Sequence, residues 1–439
     1  MKNLFNSIQL KKPKKNTFDL THDVKLSGKM GELIPVMAME TVPGDKFDIS
    51  ADTLIRFAPL IAPVMHRLDV SIHYFFVPNR IVWDNWQDFI TNKPTGGIPQ
   101  VFVGPSTTPD ENKFLDYMGV PPYVPSGPAS TRFVNALPFA AYQCIYNEYY
   151  RDQNLVPEVN YKLNDGPNPS TELLKMRLRA YEHDYFTASL PFAQKGQAVD
   201  IPLGDVVLDP SWSASGNPHF DGNGITPAGS VIQVGPNIEV GGTVSAYDPD
   251  GSLKTSPTTI NDLRRAFKLQ EWLEKNARGG TRYIENILAH FGVKSSDKRL
   301  QRPEYITGVK SPVVVSEVLN TTGETSGLPQ GNMAGHAVSV GSGYNGSYFC
   351  EEHGYIIGVL SVMPKPAYQQ GIPKNYLKTD PLDFYWPSFA NIGEQEVIND
   401  EIYAYQSNGT DTFGYVPRYA EYKYLPNRVA GDFRTTLDY

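Results

Sequence analysis

Apolar and polar residues alternate in several stretches of this chain, and each stretch predicts a strand. In 69–77 (DVSIHYFFV), Val70, Ile72, Tyr74 and Phe76 alternate with Asp69, Ser71, His73 and Phe75. That is the period of two of a strand with one strongly apolar face. Pro78-Asn79 breaks it. Similar runs stand at 313–319 (VVVSEVL), 355–363 (YIIGVLSVM) and 401–406 (EIYAYQ). They are scattered over the whole length. The spread predicts one large β domain whose strands pair across long connections, as Greek keys and jelly rolls do.

Helical spacing is rarer. From Thr259 onward, Ile260, Leu263, Ala266, Phe267, Leu269 and Leu273 share a face, and Arg264, Arg265, Lys268, Glu271 and Lys275 lie opposite. Gly279-Gly280 marks the expected end of this helix. A second helix is predicted at about 282–290, stopping at Gly292, and a third at 136–150 (ALPFAAYQCIYNEYY). Residues 201–256 hold nine Gly, six Pro and six acids against a single Lys254. Within them VIQV (231–234) and IEVGGTV (238–244) read as a hairpin. A low-helix insert of this length is functional or peripheral. It reads as an exposed acidic protrusion, with an ordinary long surface loop as the alternative.

Composition sharpens this picture. The 37 Gly and 36 Pro, together 73 of 439 residues, are spread along the chain and favour many turns. The 26 Tyr and 21 Phe suit strands and interfaces. A net charge of −8 excludes general nucleic-acid binding through the bulk field. Any such contact must come from a local basic segment. Residues 1–16 supply one, with Lys2, Lys11, Lys12, Lys14 and Lys15 and no acid; the segment is a solvated tail or a polyanion-binding arm. The N-terminal apolar stretch is too short and interrupted for a signal peptide. No run of 18 apolar residues suggests a membrane span. Cys144 and Cys350 form no CxxC pair and are expected to be buried thiols.

Few motifs in the chain carry chemistry. Gly341, Gly343 and Gly346 spell G-x-G-x-x-G, but a strand-like run follows where a dinucleotide site needs a helix. No P-loop, G-x-S-x-G or H-E-x-x-H motif occurs. The one tight acid–histidine cluster, Glu351-Glu352-His353, reads as strand-edge charge, since no second ligand group has metal-site spacing. No catalytic residue, metal or cofactor is expected. The last 40 residues interleave Tyr403, Tyr405, Tyr415, Tyr419, Tyr422 and Tyr424 with Arg418, Lys423, Arg428 and Arg434. Such a mixture can stack and neutralise single-stranded nucleic acid. Glu421 and Asp432 dilute the charge, which favours a subunit interface.

Several long phrases carry a resemblance. They include VPGDKFDI (42–49), RFAPLIAPVMHRLDV (56–70), FFVPNRIVWDNWQDFI (75–90), LPFAAYQCIYNEYYRDQNL (137–155), EEHGYIIGVLSVMPKPAYQQGI (351–372), DFYWPSFANIGEQEV (383–397) and FGYVPRYAEYKYLPNRVAGDFR (413–434). The chain resembles the major capsid protein of microviruses, small tailless icosahedral phages with single-stranded DNA, in their gokushovirus-like branch. The resemblance weakens at about 200–258. It implies a mainly β fold, a single eight-stranded antiparallel jelly roll of the viral capsid type with long loop insertions and a few short helices. It further implies a homo-oligomer of sixty copies around a circular single-stranded DNA genome, found in the virion and assembled in the bacterial host cytoplasm. A scaffolding protein, a small basic DNA-packaging protein, a pilot protein and a host surface receptor are implied partners, and no membrane is. No catalytic residues carry over.

The combined expectation is a basic arm at 1–20, a jelly-roll capsid domain at 21–439, and within it a protrusion at 200–258 near the three-fold axis. Lys11, Lys12, Lys14, Lys15, Arg418, Lys423 and Arg428 are the candidate nucleic-acid contacts. Trp83, Trp86, Trp386, Tyr419, Tyr422 and Tyr424 are the candidate interface anchors, with core burial the default for any single Trp. The alternative from another class is a jelly-roll glycan-binding module, which predicts a small oligomer and no nucleic acid. A jelly-roll glycoside hydrolase is weaker still, since it needs two carboxylates facing one cleft.

Overall fold

The computed structural model describes residues 15–56, 66–123, 132–200, 206–208, 253–255, 259–319, 333–342, 346–390 and 392–435. The strands are β1 (Ile34–Thr41), β2 (Lys46–Ile49), β3 (Asp52–Arg56), β4 (Leu68–Pro78), β5 (Gln100–Val103), β6 (Arg132–Asn135), β7 (Pro167–Asn168), β8 (Val206–Leu208), β9 (Leu253–Thr255), β10 (Glu304–Pro312), β11 (Val314–Leu319), β12 (Met333–Ser342), β13 (Gly346–Phe349), β14 (Gly354–Pro364), β15 (Glu394–Ile398) and β16 (Thr412–Pro417). The helices are α1 (Asn79–Val82), α2 (Trp86–Ile90), α3 (Pro109–Tyr117), α4 (Leu137–Ile145), α5 (Ser170–Leu173), α6 (Ile260–Gly279) and α7 (Tyr283–Phe291). The chain forms two compact units. The first is Met1–Ala188, Lys294–Gly371 and Tyr424–Tyr439; the second is Ser189–Val293 and Ile372–Lys423.

The first unit is built on an antiparallel sheet of order β1-β14-β4-β10. Smaller pairings join β2 to β13 and β12 to both β3 and β11. The alternation in β4 sorts its side chains, but both faces are covered. Val70, Ile72, Tyr74 and Phe76 enter one core with Ile34, Ile49, Val313, Cys350, Ile356 and Leu360. Phe75 and Val77 enter a second core with Ile357, Val359 and residues of α1, α3 and α4. The expected half-exposed strand is therefore a buried central one, and even Asp69 and Ser71 are buried.

The second core depends on α4. Every residue of that helix except Pro138 is buried, as an apolar-all-round helix requires. The predicted helix at 136–150 ends its α-helical part at Ile145 and continues as a π-helical turn, Tyr146–Tyr150. The polar side chains of α4 and of the turn that follows it are paired. Tyr142 Oη donates to the Leu33 carbonyl at 2.8 Å, and Asn147 exchanges bonds of 2.6 and 3.0 Å with the Val159 backbone.

His73 in β4 is the first unit's acid-sensitive point. Its Nδ1 lies 2.7 Å from Tyr150 Oη, and its ring stacks on Tyr150 and meets Tyr305 edge-on. Gly308 leaves room for it, since a Cβ there would come within 2.5 Å of the ring. Burial, then the charges of Arg179 and Lys310, push its pKa from 6.5 down to about 4. Between those values the unfolded chain binds a proton that the folded chain refuses, so stability rises with pH across that window. Glu182 works lower: the Lys310 hydrogen bond, with Lys365, outweighs burial and holds it at about 2, so its contribution persists until pH falls below 4.5. Urea unfolding should therefore show a loss of about 2 kcal/mol between pH 7 and pH 5, largely absent in His73→Phe. Equal wild-type stability at the two pH values contradicts this.

In the second unit, α6 starts as its sequence predicts. Thr259 and Asp262 form a capping box, with Asp262 N–H donating to Thr259 Oγ1 at 3.2 Å and Thr259 N–H to Asp262 Oδ2 at 3.4 Å. α7 ends at Gly292, which has a φ of +67° and donates its N–H to the Leu288 carbonyl at 3.0 Å. β15 and β16 form an antiparallel pair, as do β8 and β9.

The strand expected at 401–406 is absent. Asn399–Glu401 is a single 3-10 turn, and the chain closes on itself beyond it. Asp400 N–H donates to the Gly409 carbonyl at 2.9 Å, Asn399 N–H to the Asp411 carbonyl at 3.0 Å, and Asn399 Nδ2 to the Asn408 carbonyl at 3.0 Å. Asn and Asp turn chemistry has overridden the alternation of Ile402 and Ala404.

Candidate assembly interface

In the second unit, residues 372–423 run through short 3-10 turns at Pro381–Asp383, Pro387–Phe389 and Ala420–Tyr422. Pro sits at the first position of two of them, where its fixed φ costs nothing. Such short turns cannot bury an apolar face. Leu382, Phe384, Tyr385, Trp386 and Tyr422 all remain roughly half exposed.

A buried ion pair fixes this aromatic platform from beneath. The Lys378 side chain is 4% exposed and that of Glu421 is 10% exposed. Lys378 Nζ donates to Glu421 Oε1 at 2.7 Å and to Tyr422 Oη at 3.1 Å. It also sits 4.1 Å from the Tyr422 ring centre and 5.7 Å from that of Phe384. Glu421 Oε2 accepts from Gln395 Nε2 at 2.6 Å, and Gln395 Oε1 accepts from Tyr419 N–H at 2.8 Å. Burial works against both charges, but the hydrogen bonds outweigh it. Lys378 is held above its ordinary value by Glu421 and Tyr422, and Glu421 below its own by Lys378 and Gln395.

Tyr419 is the hinge of the arrangement. It is buried, takes a left-handed φ of +62° just after β16, and accepts from Trp386 N–H at 3.2 Å. Its ring packs 4.9 Å from that of Tyr385. The Arg418 guanidinium lies between Tyr419 and Phe389, 5.1 and 5.8 Å from their ring centres. Trp386 Nε1 donates to the Pro381 carbonyl at 2.9 Å.

The sequence-predicted residues thus separate. Trp386 and Tyr422 present surface on the platform, while Tyr419 is its buried support. Tyr424 is exposed, but it belongs to the first unit. Trp83 takes the core alternative: it is 1% exposed and donates Nε1–H to Asp165 Oδ1 at 2.8 Å, which leaves it no area to give a neighbour. Trp86 is half-buried against Trp83, Phe89 and His353. Among the basic residues, Arg418 is taken up by its two rings, and Lys423 and Arg428 are exposed. Lys15 is exposed, with Nζ 5.8 Å from the Phe349 ring centre. Lys11, Lys12 and Lys14, and nearly all of the 200–258 segment with its predicted hairpin, lie outside the described residues.

Sequence reasoning missed Lys378, whose partner Glu421 is 43 positions away and was read only as diluting charge. The phrase DFYWPSF held the available signal, a run of large side chains beside Pro.

The remaining motifs resolve into structure, apart from Gly343, which lies outside the described residues. Gly341 lies in β12 and Gly346 opens β13, where a Cβ would come within 2.9 Å of Thr53 Oγ1 and 2.5 Å of Thr307 respectively. Glu352 pairs with Arg80 at 2.6 and 2.9 Å, Glu351 pairs with Lys298, and His353 packs on Trp86. Cys144 and Cys350 are buried, and burial pushes their thiols up to about 12 and about 11. Among the described residues, no group of three or more His, Cys, Asp and Glu side chains is placed to hold a metal ion. No helix among them is long and apolar enough to cross a membrane.

Known proteins are similar to this chain over nearly its whole length. The family model described as capsid protein (F protein) matches residues 6–439. Capsid protein VP1 of Bdellovibrio phage phiMH2K is 36% identical, over 96% of this chain and 83% of that protein. Capsid protein VP1 of Chlamydia phage 1 is 34% identical, over 100% and 88% respectively. Capsid protein VP1 of Spiroplasma virus 4 is 32% identical, over 96% and 83%.

Proposed function

The chain belongs to the capsid protein (F protein) family as a major capsid protein, a structural component of the virion and not an enzyme, and on that premise we propose that sixty copies close into an icosahedral shell around a circular single-stranded DNA genome. The observation that carries the assembly reading is the aromatic platform. Four of its exposed side chains are consecutive-to-near neighbours at 382–386, and Tyr422 lies 5.9 Å from Tyr385 ring to ring. A rigid aromatic surface loses little side-chain entropy on docking, where each flexible side chain ordered costs about 0.5–1.5 kcal/mol. Leu382→Asp with Phe384→Asp should leave the subunit's thermal midpoint nearly unchanged and lower particle yield roughly a hundredfold, the weight of a hot spot. Normal yield from this double variant removes the platform from the interface.

The fold within the shell is, in this reading, the eight-stranded antiparallel jelly roll. Its support is the nested pairing of β1 with β14, β2 with β13, β3 with β12 and β4 with β10. That nesting is what one long antiparallel ribbon gives when it is rolled up. The mainly antiparallel β architecture is itself observed; the roll is the proposal.

Residues 1–20 act as a basic arm, and Lys11, Lys12, Lys14 and Lys15, with exposed Lys423 and Arg428, meet genome phosphates by counterion release. The acidic 200–258 segment faces outward at the three-fold axis, away from the genome, where it meets a host surface receptor. The arm is short, so a small basic DNA-packaging protein shares the neutralisation, with scaffolding and pilot proteins joining during assembly in the host cytoplasm.

A further inference from the structure

Residues 15–30 are exposed without exception and belong to no strand or helix, apart from Met30 entering a turn. From Thr17 to Met30 they alternate with period two. Phe18, Leu20, Val24, Leu26 and Met30 fall on one side with His22 and Gly28. Thr17, Asp19, Thr21, Asp23, Lys25, Ser27 and Lys29 fall on the other. That is the pattern of a strand with one covered face. Yet Phe18 is 76% exposed, and Leu20, Val24 and Met30 each more than half. Among the described residues, no backbone–backbone hydrogen bond involves residues 15–28. No proline lies between Pro13 and Pro35, so every residue of this stretch carries a backbone N–H; those of Thr21 and Lys29 donate to Asp19 Oδ1 at 3.0 Å and Glu32 Oε2 at 3.1 Å.

We infer that residues 17–26 are a donated strand: the segment pairs in the assembled shell with a sheet edge of a second copy of this chain. The inference rests on the shell reading, which brings copies edge to edge. The C-terminal end of the segment is fixed to its own subunit, by Gly31 N–H to the Val362 carbonyl at 2.9 Å and by Tyr117 Oη on the Ser27 carbonyl. Ten extended residues, 17–26, precede the Ser27 anchor and span about 33 Å, enough to reach onto a neighbour. Charge selects a protein over nucleic acid as the occupant. Within 16–30, Lys25 and Lys29 are balanced by Asp19 and Asp23, unlike the all-basic stretch before it. A receiving edge also exists. β3 ends its sheet, and its Leu54 and the paired Val340 of β12 are both exposed. Main-chain bonds would then give affinity and the alternating side chains register, as in strand addition generally.

The test is photo-crosslinking in assembled particles of the full chain carrying Leu20→p-benzoylphenylalanine. The expected product runs at twice the mass of one chain, and it is lost when particles are dissociated before irradiation. A crosslink confined to one chain, or none, overturns the inference. The double variant Leu20→Asp/Val24→Asp gives a second readout. It should leave the unassembled subunit's thermal midpoint unchanged and lower particle yield roughly tenfold or more; unchanged yield also overturns it. If the unsubstituted chain forms no particles, the shell reading fails and the donated strand with it. Particles without the interchain product remove the strand alone.

Discussion

Trp83→Ala is expected to destabilise the first unit by about 3–5 kcal/mol, the range for removing a large buried aromatic. Total stabilities run at about 5–15 kcal/mol, so the variant should accumulate as unfolded or aggregated chain and yield no particles. The reason lies in what Trp83 touches. It belongs to the core of α1, α3 and α4, with Phe89 5.3 Å away ring to ring. Its Nε1–H is one of the donors on Asp165, which also accepts from Gly96 N–H at 2.7 Å and from Asn85 Nδ2 at 3.1 Å. Those bonds, the Gly96 backbone first, hold the Asp165 carboxyl below its usual range. Trp83→Phe keeps most of the volume and loses the donor, so it should cost about 1–2 kcal/mol. Urea midpoints of wild type and both variants order the three proteins. A fully stable Trp83→Ala subunit that fails only in assembly would return Trp83 to the interface.

Lys378→Met is the second large effect, about 3–5 kcal/mol, because it strands the Glu421 carboxylate beside Gln395 without its cation. The stability that Glu421 contributes is present at neutral pH and lost as pH falls through its depressed value. That of Lys378 is lost only as pH rises through its raised one. Removing both charges together should recover much of the loss. Lys378→Met/Glu421→Gln is therefore expected to be at least about 2 kcal/mol more stable than Lys378→Met, a coupling that a double-mutant cycle measures directly. Additive losses would mean that the pair does not hold the platform. Since Phe384 and Tyr422 rest on Lys378, the single variant should lose assembly even under conditions where it stays folded.

These two sites also mark what could be read from the chain beforehand. β4 was legible because Val70, Ile72, Tyr74 and Phe76 alternate. Its second buried face was not, because Asp69, Ser71 and His73 look like solvent positions until other elements cover them. α6 was legible from the shared face of Ile260, Leu263, Ala266, Phe267, Leu269 and Leu273 and from the glycines at its end, since both signals are local. The false strand at 401–406 came from trusting alternation over the turn-forming Asn399, Asp400, Asn408 and Gly409. Trp386 and Tyr422 were found as aromatics in a Tyr-rich stretch, but Tyr419, in the same stretch, is buried. The difference comes from Tyr385, whose ring packs on Tyr419, and from Trp386, 33 residues away, whose N–H donates to its hydroxyl, and no spacing rule predicts either. The alternation at 17–30 is local and legible in the sequence; that its apolar side stays exposed is visible only in the structure.

The central claim is that this chain builds a shell, and the native mass of the purified assembly tests it most directly. Sixty copies of a 48.9 kDa chain weigh about 2.9 MDa before any nucleic acid is counted. Analytical ultracentrifugation with electron microscopy should find closed spheres at or above that mass, with an absorbance ratio that reports enclosed DNA. A monomer or small oligomer that carries no nucleic acid and is retained on a sugar resin would contradict the account and favour the glycan-binding alternative.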